Sequence, residues 1–366
     1  MRLLLTLAIA APAFAAPFYT MTEIGTLGGG FSNGRAINAN GVVAGISTLP
    51  SSTGHAVSWN GATLTDVTPT HPNRSDAYGI NDAGIAVGIA DVNPNFSADM
   101  AFYWNGTSMN FFDSLNAVRS YAWDINNNGL TVGTLQDPFN TFSGVVWNTL
   151  TGSPVALPVQ TGNFTEALAI NDAGVMAGQV RGPGLQHAMR LAAGTVQDLG
   201  TLGGNSSIAY SISENGFIAG TSDISTGEFH AFFWDGSTMH DLGALAGGYS
   251  WGAGVNSSRY TVGYSYDAQF NQTGMLWEGT SAMHIMDNLV TNANGRRIAS
   301  LWAINDNGQI TGVLRNGMGV RLDPVVPEPA SIVLCAAGLA LAIARGHRVF
   351  NHSTGKRASV SDAVRK

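Results

Sequence analysis

The chain has 366 residues, of which 11% are charged and 45% hydrophobic, and glycine occupies 46 positions. A soluble domain normally carries about 25% charged residues and about 7% glycine, so the composition indicates apolar segments separated by turns; it excludes collagen, which needs a Gly-X-Y period, and argues against disorder. Residues 16–344 hold 23 acidic residues against 10 arginines and no lysine, a charge that argues against a nucleic-acid partner.

The first 15 residues have the three parts of a secretory signal peptide. Arg2 precedes an apolar run over residues 3–11, and Ala13 and Ala15 form an A-x-A cleavage site. We therefore expect cleavage after Ala15 and export of the mature chain. The single cysteine, Cys335, excludes an intramolecular disulfide framework and a multi-cysteine metal site.

Residues 16–324 repeat one unit seven times, with three landmarks in each unit. The first landmark ends an alternating segment with Ile-Asn or an equivalent and continues into Gly-x-x-x-Gly; its anchors are Asn38, Asn81, Asn126, Asn171, Ser213, Asn256 and Asn305. The second is an aromatic or leucine column formed by Trp59, Trp104, Trp147, Leu191, Trp234, Trp277 and Leu322. The third is an acidic slot filled by Glu23, Asp66, Asp113, Ala156, Asp198, Asp241 and Asp287.

Each unit contains four short segments of period-two alternation, which predict four β-strands, and its I-N-x-x-G step predicts a hairpin turn. A lone four-stranded blade cannot cover both of its faces, whereas a ring of such blades can. We therefore predict an all-β fold, a seven-bladed β-propeller, with an open β-solenoid as the alternative. A strand within residues 18–25 is expected to close the ring by completing the last blade, at about residues 298–323.

The repeats resemble a known family. The segments HAFFWDG, DLGTLGG and AIN-x-x-G are similar to those of the HAF family of extracellular repeats, and the match spans roughly residues 19–323. The resemblance implies an exported, surface- or matrix-associated protein, and it brings no catalytic residues. Blades three and four depart most from the pattern.

Several motifs that suggest chemistry have simpler interpretations. Two G-x-S-x-G matches place Ser32 and Ser250 after Leu-Gly-Gly or Ala-Gly-Gly without a following helix, so we interpret both serines as turn residues rather than nucleophiles. The string at 124–129 imitates the start of an EF-hand, but Leu135 stands where a bidentate Glu is needed, which indicates a hairpin. Histidines recur in the HAF strand, where cross-strand packing and one hydrogen bond each explain them: His55, His187 and His230. The tryptophan column is assigned to blade cores or blade interfaces.

One set of carboxylates is not explained by the repeat. Four units carry an aspartate three or four residues after the second glycine: Asp91, Asp137, Asp223 and Asp267. They lie at the length-variable joint between the second and third strands, and binding residues often lie on loops of a rigid scaffold. Simple solvation of these side chains is the favoured interpretation, and a face that binds cations or sugar hydroxyls is the alternative that we keep as a candidate.

The C-terminal residues 325–366 combine three features. Pro327-Glu328-Pro329 precedes an uncharged apolar stretch over 330–344, which Arg345 and further basic residues follow. This order resembles the PEP-CTERM sorting signal of Gram-negative bacteria, which an exosortase recognises and processes. The resemblance implies that Pro327, Glu328 and Pro329 are the recognition motif, with Arg345 ending a short helix that anchors the chain transiently in the inner membrane. The tail after Arg345 has 21 residues, longer than usual for that family.

The sequence therefore predicts a non-catalytic exported protein at the cell surface or in an exopolysaccharide matrix, with exosortase as its processing partner and no cofactor. Two alternatives stay open: a lectin-like module that binds carbohydrate or cations, and a glycosidase or lyase. The second would need unique carboxylates that converge at the central channel. The carboxylates outside the repeat pattern are Asp76, Asp99, Glu166 and Glu228.

Overall fold

The computed structural model describes residues 17–93, 98–149, 152–158 and 164–325. These ranges contain 28 β-strands and a short 3-10 turn at Met286–Asn288. The predicted signal peptide (1–15), the sorting motif Pro327-Glu328-Pro329, the apolar stretch and Arg345 lie outside them. Within the described ranges, no helix has the length and apolarity needed to cross a membrane.

The strands form seven antiparallel four-stranded blades. The innermost strands of blades 1 to 7 are β2 (Ser32–Ile37), β6 (Ser75–Ile80), β10 (Arg119–Ile125), β14 (Phe164–Ile170), β18 (Gly203–Ile212), β22 (Ser250–Val255) and β26 (Ile298–Ile304). The second strands are β3 (Val43–Thr48), β7 (Ala86–Asp91), β11 (Leu130–Gln136), β15 (Met176–Gly182), β19 (Ile218–Ile224), β23 (Tyr260–Tyr266) and β27 (Ile310–Leu314). The third strands are β4 (Gly54–Trp59), β8 (Asp99–Trp104), β12 (Phe142–Asn148), β16 (Leu185–Ala192), β20 (Phe229–Trp234), β24 (Gln272–Glu278) and β28 (Gly319–Pro324). The outermost strands are β5 (Leu64–Asp66), β9 (Met109–Phe111), β13 (Pro154–Ala156), β17 (Thr195–Asp198), β21 (Met239–Asp241), β25 (Ala282–Ile285) and, in blade 7, β1 (Tyr19–Glu23).

This arrangement confirms the predicted all-β, seven-bladed propeller. Each blade is a separate antiparallel sheet, except that one parallel pair, Gln186 with Ser206, joins blades 4 and 5. Strand β1 pairs with β28 over five residues, from Tyr19 opposite Pro324 to Glu23 opposite Val320. The chain therefore closes its ring as predicted, with its first described strand completing its last blade.

The recurring I-N-x-x-G step of each repeat is a hairpin between the first and second strands, as predicted. In blade 1 the side-chain oxygen of Asn38 accepts hydrogen bonds from the backbone N–H groups of Asn40 (3.1 Å) and Val42 (2.9 Å). Gly41 has φ +74°, a left-handed conformation that glycine adopts without a Cβ penalty. The EF-hand look-alike of blade 3 forms the same turn, because Asn126 accepts from Asn128 and Leu130.

The same asparagines also join the blades, which the sequence analysis did not predict. The side-chain amide of each donates to the backbone carbonyl of the corresponding residue in the next blade, as in Asn38 to Asn81 (2.9 Å). The remaining donors are Asn81, Asn126, Asn171, Asn256 and, closing the ring onto Asn38, Asn305. We call these six residues and Ser213 the asparagine ring. Ser213 is the exception in this ring. Its hydroxyl accepts from the Phe217 N–H (3.0 Å) within blade 5, and it makes no hydrogen bond to the carbonyl of Asn256 in the next blade.

Completing the asparagine ring should stabilise the fold. In Ser213→Asn the new side chain keeps the bond from Phe217 and gains a donor for the carbonyl of Asn256. One added intramolecular hydrogen bond contributes about 1 kcal/mol, so we expect calorimetry to show a melting temperature a few degrees higher. The reverse change in the preceding blade, Asn171→Ser, should lower it. A melting temperature of Ser213→Asn at or below that of the wild type would contradict this role of the ring.

The hydrophobic core lies mainly between blades. One cluster combines Val87 and Phe112 from the side of blade 2 with Ala122, Val145 and Trp147 from blade 3. The tryptophan column takes part in these clusters, as predicted: its members are buried except Trp104, which is half-buried. Each blade therefore depends on its neighbour for much of its apolar burial.

The interpretation of Ser32 and Ser250 as turn residues was wrong. Both are the first residues of innermost strands and are fully buried. The hydroxyl of Ser250 accepts from the Ala231 N–H of the preceding blade (2.8 Å) and donates to the Gly243 carbonyl (2.6 Å). Ser32 accepts from the Gly319 N–H in the same way (2.8 Å). A buried N–H needs an acceptor, and the start of the adjacent strand provides it.

Candidate functional site

A cavity of about 600 Å³ lies along the axis of the propeller and is lined by all seven innermost strands. Most of its lining falls into four layers, set by position relative to the asparagine ring, and residues two positions before the ring complete it: Ala36, Asp124, Ala169, Ser211 and Ala303. Three residues before the ring lies a layer of mostly large side chains, and one residue before it a layer of β-branched residues. The ring itself is the third layer, and the residues that follow it form the fourth.

The first layer exists because every innermost strand has a β-bulge at the same place. In blade 2 the register shifts between Ala77 and Gly79, so that Tyr78 is the extra residue. A bulge re-aims a side chain relative to its neighbours, and here it turns this residue toward the cavity. The seven bulged residues are Arg35, Tyr78, Trp123, Leu168, Tyr210, Ala253 and Trp302.

Five aromatic rings line this end of the cavity, and we call them the aromatic belt. They are Tyr78, Trp123, Tyr210, Trp251 and Trp302, and all are half-buried. On one side Trp123 contacts Tyr78 (5.3 Å between ring centroids) and stacks on Tyr121 (5.3 Å, 2° between planes). On the other side Tyr210 stacks on Trp251 (4.7 Å).

The two halves of the belt are joined through further rings and one cation. Tyr264 lies behind Trp251 (6.0 Å) and meets Trp302 edge-on (6.2 Å). The Arg35 guanidinium lies 5.2 Å from the ring centroid of Tyr78 and 5.9 Å from that of Trp302. Five blades thus contribute rings and blade 1 contributes the Arg35 guanidinium, while blade 4 has only Leu168 at this level.

Arg35 is held in place by a fully buried carboxylate. Its Nε and Nη2 atoms donate to Asp76 at 3.2 and 2.9 Å, a bidentate pair across the interface of blades 1 and 2. Such a pair fixes the plane of the guanidinium. Arg74 approaches the same carboxylate at 3.5 Å. The belt therefore carries a positive group whose charge is locally balanced.

The opposite end of the cavity is acidic. Asp82, Asp172, Glu214 and Asp306 follow the asparagine ring in their blades, and we call them the acidic rim. Each accepts a backbone N–H from the preceding blade, as Asp82 does from Ala39 (2.8 Å). Burial raises the pKa of Glu214, and the neighbouring carboxylates add to this. The rim both connects the blades and gives this mouth a negative potential.

Asp124 is the one carboxyl within the cavity wall between the two ends. It is half-buried in the wall, and its removal from water raises its pKa to about 7, against two hydrogen bonds that favour the charged form. Its oxygens accept from the Ile125 N–H (2.8 Å) and from the Ile170 N–H of the next blade (3.0 Å). At the equivalent position of blade 5, the Ser211 hydroxyl accepts from the Val255 N–H (3.2 Å).

The four predicted loop aspartates do not share one environment. Asp137 and Asp267 cap tight turns. Asp137 accepts from the N–H groups of Phe139 and Thr141, and Asp267 accepts from those of Gln269 and Asn271. Asp91 is buried, and Asp223 lies half-exposed near the end of β19. The four stand on different blades, at strand ends opposite to those that carry the acidic rim. Whether this face binds a ligand stays a prediction.

The carboxylates considered for an enzyme have separate local partners. Asp76 pairs with Arg35, and Glu166 accepts from the Thr134 hydroxyl (2.7 Å) and the Gln179 amide (2.6 Å). Asp99 lies opposite Asp91 in the pairing of β7 with β8. Glu228 lies just before β20, next to the turn that ends β19. In the described ranges no hydrogen bond joins any two of these four side chains.

The recurring histidines each pair with the acidic slot of their own blade. His55 meets Asp66 at 2.8 Å, His187 meets Asp198 at 2.9 Å, and His230 meets Asp241 at 2.8 Å. This confirms the prediction that each of these histidines hydrogen-bonds one partner and that the three lie on separate blades. Among the described residues, no group of three or more His, Cys, Asp or Glu is arranged to hold a metal ion.

The sequence analysis missed the aromatic belt. The signal for four of its five rings was the position three residues before each anchor of the asparagine ring, which reads Arg, Tyr, Trp, Leu, Tyr, Ala and Trp in a repeat that is otherwise regular; Trp251 lies two residues before that position. A position that the fold allows to vary so widely is free of a structural requirement, and large aromatic residues there point to function.

Comparisons of the sequence with protein-family profiles and with characterised proteins find no match. Solved structures do resemble the fold. The chain is similar to YCF48 bound to D1 peptide (TM-score 0.50, 9% identity, 88% of this chain and all of that chain). It is also similar to the β-propeller domain of the Trilobed protease from Pyrococcus furiosus (TM-score 0.49, 7% identity, 81% of this chain and 91% of that chain). A third similar structure is an inactive virginiamycin B lyase from Staphylococcus aureus with quinupristin (TM-score 0.44, 10% identity, 84% of this chain and all of that chain). At these identities the likeness concerns the propeller fold alone.

Proposed function

We propose that this chain is an exported, non-catalytic propeller that binds a ligand in its central cavity and acts at the cell surface or in an exopolysaccharide matrix. The observation that carries the proposal is the aromatic belt: five half-buried rings line one end of a cavity of about 600 Å³. Small-molecule sites typically have about this volume and combine apolar walls with a few polar groups.

The rigidity of the surroundings supports binding at this place. The belt residues stand on innermost strands that hydrogen bonds link from blade to blade, and Asp76 fixes Arg35. A site on such elements loses little conformational freedom when a ligand binds. Asp76 pairs with Arg35, and Glu166 accepts from Thr134 and Gln179, so local structural partners already account for these two carboxylates.

Two terminal segments support export. Residues 1–15 have the order of a secretory signal peptide, and Pro327-Glu328-Pro329 with the apolar stretch resembles a signal that an exosortase processes. On this proposal the propeller lies outside the cytoplasm of a Gram-negative cell. The C-terminal apolar stretch anchors it in the inner membrane only until the exosortase processes the chain.

Cell fractionation with mass spectrometry tests the proposal. We expect the exported protein to lack its first 15 residues and the segment after the sorting motif, and Glu328→Ala to retain the latter. Trp302→Leu should fold like the wild type, because Leu168 fills the equivalent position, but should be released from the matrix into the medium. A protein that stays in the cytoplasm would refute export, and equal matrix retention of Trp302→Leu would refute binding through the cavity.

A further inference from the structure

We propose that the aromatic belt binds an uncharged oligosaccharide, with hexose rings stacked on the faces of its tryptophans. This inference rests on the proposed function and names the ligand class of the same site. Four observations support it: the chemistry of the cavity wall, the depth of the cavity, the charge around it, and the fact that the fold accepts non-aromatic residues at the belt positions of other blades.

The wall offers alternating apolar faces and hydrogen-bonding edges. The C–H groups of a pyranose face carry partial positive charge, which the negative face of an indole or phenol ring attracts. The hydroxyl edge of the same sugar needs donors and acceptors; the phenol of Tyr210 can provide both, whereas the phenol of Tyr78 is already hydrogen-bonded to Asp76. Burial raises the pKa of Tyr78 to about 12, so its phenol keeps its proton under ordinary conditions.

One polar atom of the belt lacks a partner. The indole N–H of Trp302 is buried and has no acceptor among the described residues. Buried N–H groups of folded proteins nearly always have one. A sugar hydroxyl seated beside Trp302 would provide it after a small shift of the ring, whereas a purely apolar ligand would leave it unsatisfied.

The depth of the cavity indicates more than one sugar. Four of the five belt rings stand three residues before the asparagine ring, and Trp251 stands five residues before it; since strands rise about 3.3 Å per residue, the wall extends about 10 Å from most of the belt to the ring. The tryptophans also lie on separate blades, with Trp123 in blade 3, Trp251 in blade 6 and Trp302 in blade 7. These rings and the depth of the wall provide stacking faces for more than one sugar unit.

The charge of the molecule selects against anionic ligands that also stack on aromatic rings. Single-stranded nucleic acid uses such stacking together with a basic groove. Here the cavity ends in the acidic rim, and Asp76 balances Arg35. The sequence between 16 and 344 has 23 acidic residues and 10 arginines. A uronate chain meets the same repulsion as a polynucleotide, which leaves neutral glycans as the favoured class.

The repeat itself shows that the fold does not need the belt rings. The same bulged position holds Leu168 in blade 4 and Ala253 in blade 6, and both blades have all four strands. The fold therefore does not require an aromatic ring at the positions of Trp123 and Trp302. Their presence on the cavity wall is explained by contact with a ligand.

Titration calorimetry at low salt with the purified exported protein tests the inference. The probes are cellohexaose, maltohexaose and mannohexaose as neutral chains, and hexagalacturonate as the anionic chain. We expect at least one neutral hexasaccharide to bind, hexagalacturonate to give no heat, and Trp302→Leu and Trp123→Leu each to weaken binding by tenfold or more. Trp302→Tyr should keep most of the affinity, because tyrosine occupies the equivalent position in blades 2 and 5.

Phe139→Ala is the control, since Phe139 is 87% exposed on a loop tip outside the cavity and should leave binding unchanged. Melting curves of all variants separate loss of binding from loss of fold. Binding of hexagalacturonate as tight as that of the neutral chains, no heat with any neutral chain, or neutral-chain binding that Trp302→Leu leaves intact overturns the inference. If matrix retention still depends on Trp302 in those cases, the ligand class is wrong while the proposed function stands; if it does not, both fail.

Discussion

Removal of residues 18–25 is expected to lower the melting temperature by about 10 °C or more. This segment contains β1, which pairs with β28 over five residues. Tyr19, Met21 and Ile24 are at most 5% exposed, and full burial of a large apolar side chain contributes about 1.5–3 kcal/mol. The deletion also leaves β28 as an unpaired edge, which favours association between chains. Calorimetry and light scattering measure both effects.

Point substitutions in β1 provide the controls, because its side chains alternate between the core and solvent. Met21→Asp places a charge in the core cluster of blade 7 and should approach the effect of the deletion. Thr20→Ala changes an exposed side chain of the same strand and should leave the melting temperature within about 1 °C. Wild-type melting of the deleted protein would show that the ring does not depend on this closure.

The fold could be predicted from the sequence because the same strand and turn pattern recurs in seven units. A segment such as RAINANGVVAG alternates with period two, turns at an asparagine and a glycine, and recurs every 42–49 residues. The strand number, the ring closure and the burial of the tryptophan column follow from the need of each blade for neighbours. The landmark asparagines were predicted only as turn residues, since a bond from Asn38 to Asn81 forms only once the ring has closed.

The candidate site could not be predicted in the same way. The sequence analysis looked for carboxylates that break the repeat, and it found the loop aspartates, among which Asp137 and Asp267 cap turns. The belt residues sit inside a regular strand, and simple alternation does not show the bulge that turns Tyr78 toward the cavity. Bulges shift the register locally, so side-chain direction at that point is set by the sheet and by neighbouring blades.

Asp124 is expected to make the protein less stable as the pH rises from 5 to 8. Its pKa is about 7 in the folded chain and about 3.9 in the unfolded chain. The folded state therefore binds the proton more tightly, and the stability it contributes is present below about pH 4 and is lost as the pH rises through 7. Three pKa units correspond to about 4 kcal/mol. Burial raises the pKa of Asp99 and Glu214 as well, which adds to the same trend.

The variant Asp124→Ser separates this carboxyl from the others. A serine hydroxyl at the equivalent position of blade 5, Ser211, accepts the N–H of the next blade, so the substitution should keep that bond with Ile170. We expect Asp124→Ser to melt higher than the wild type at pH 8 and to lose most of this advantage at pH 5. The reciprocal change, Ser211→Asp, should add a second loss of stability between the same pH values. If the melting temperatures of the wild type and Asp124→Ser instead run parallel from pH 5 to pH 8, Asp124 is ionised throughout, and the hydrogen bonds from Ile125 and Ile170 outweigh its burial.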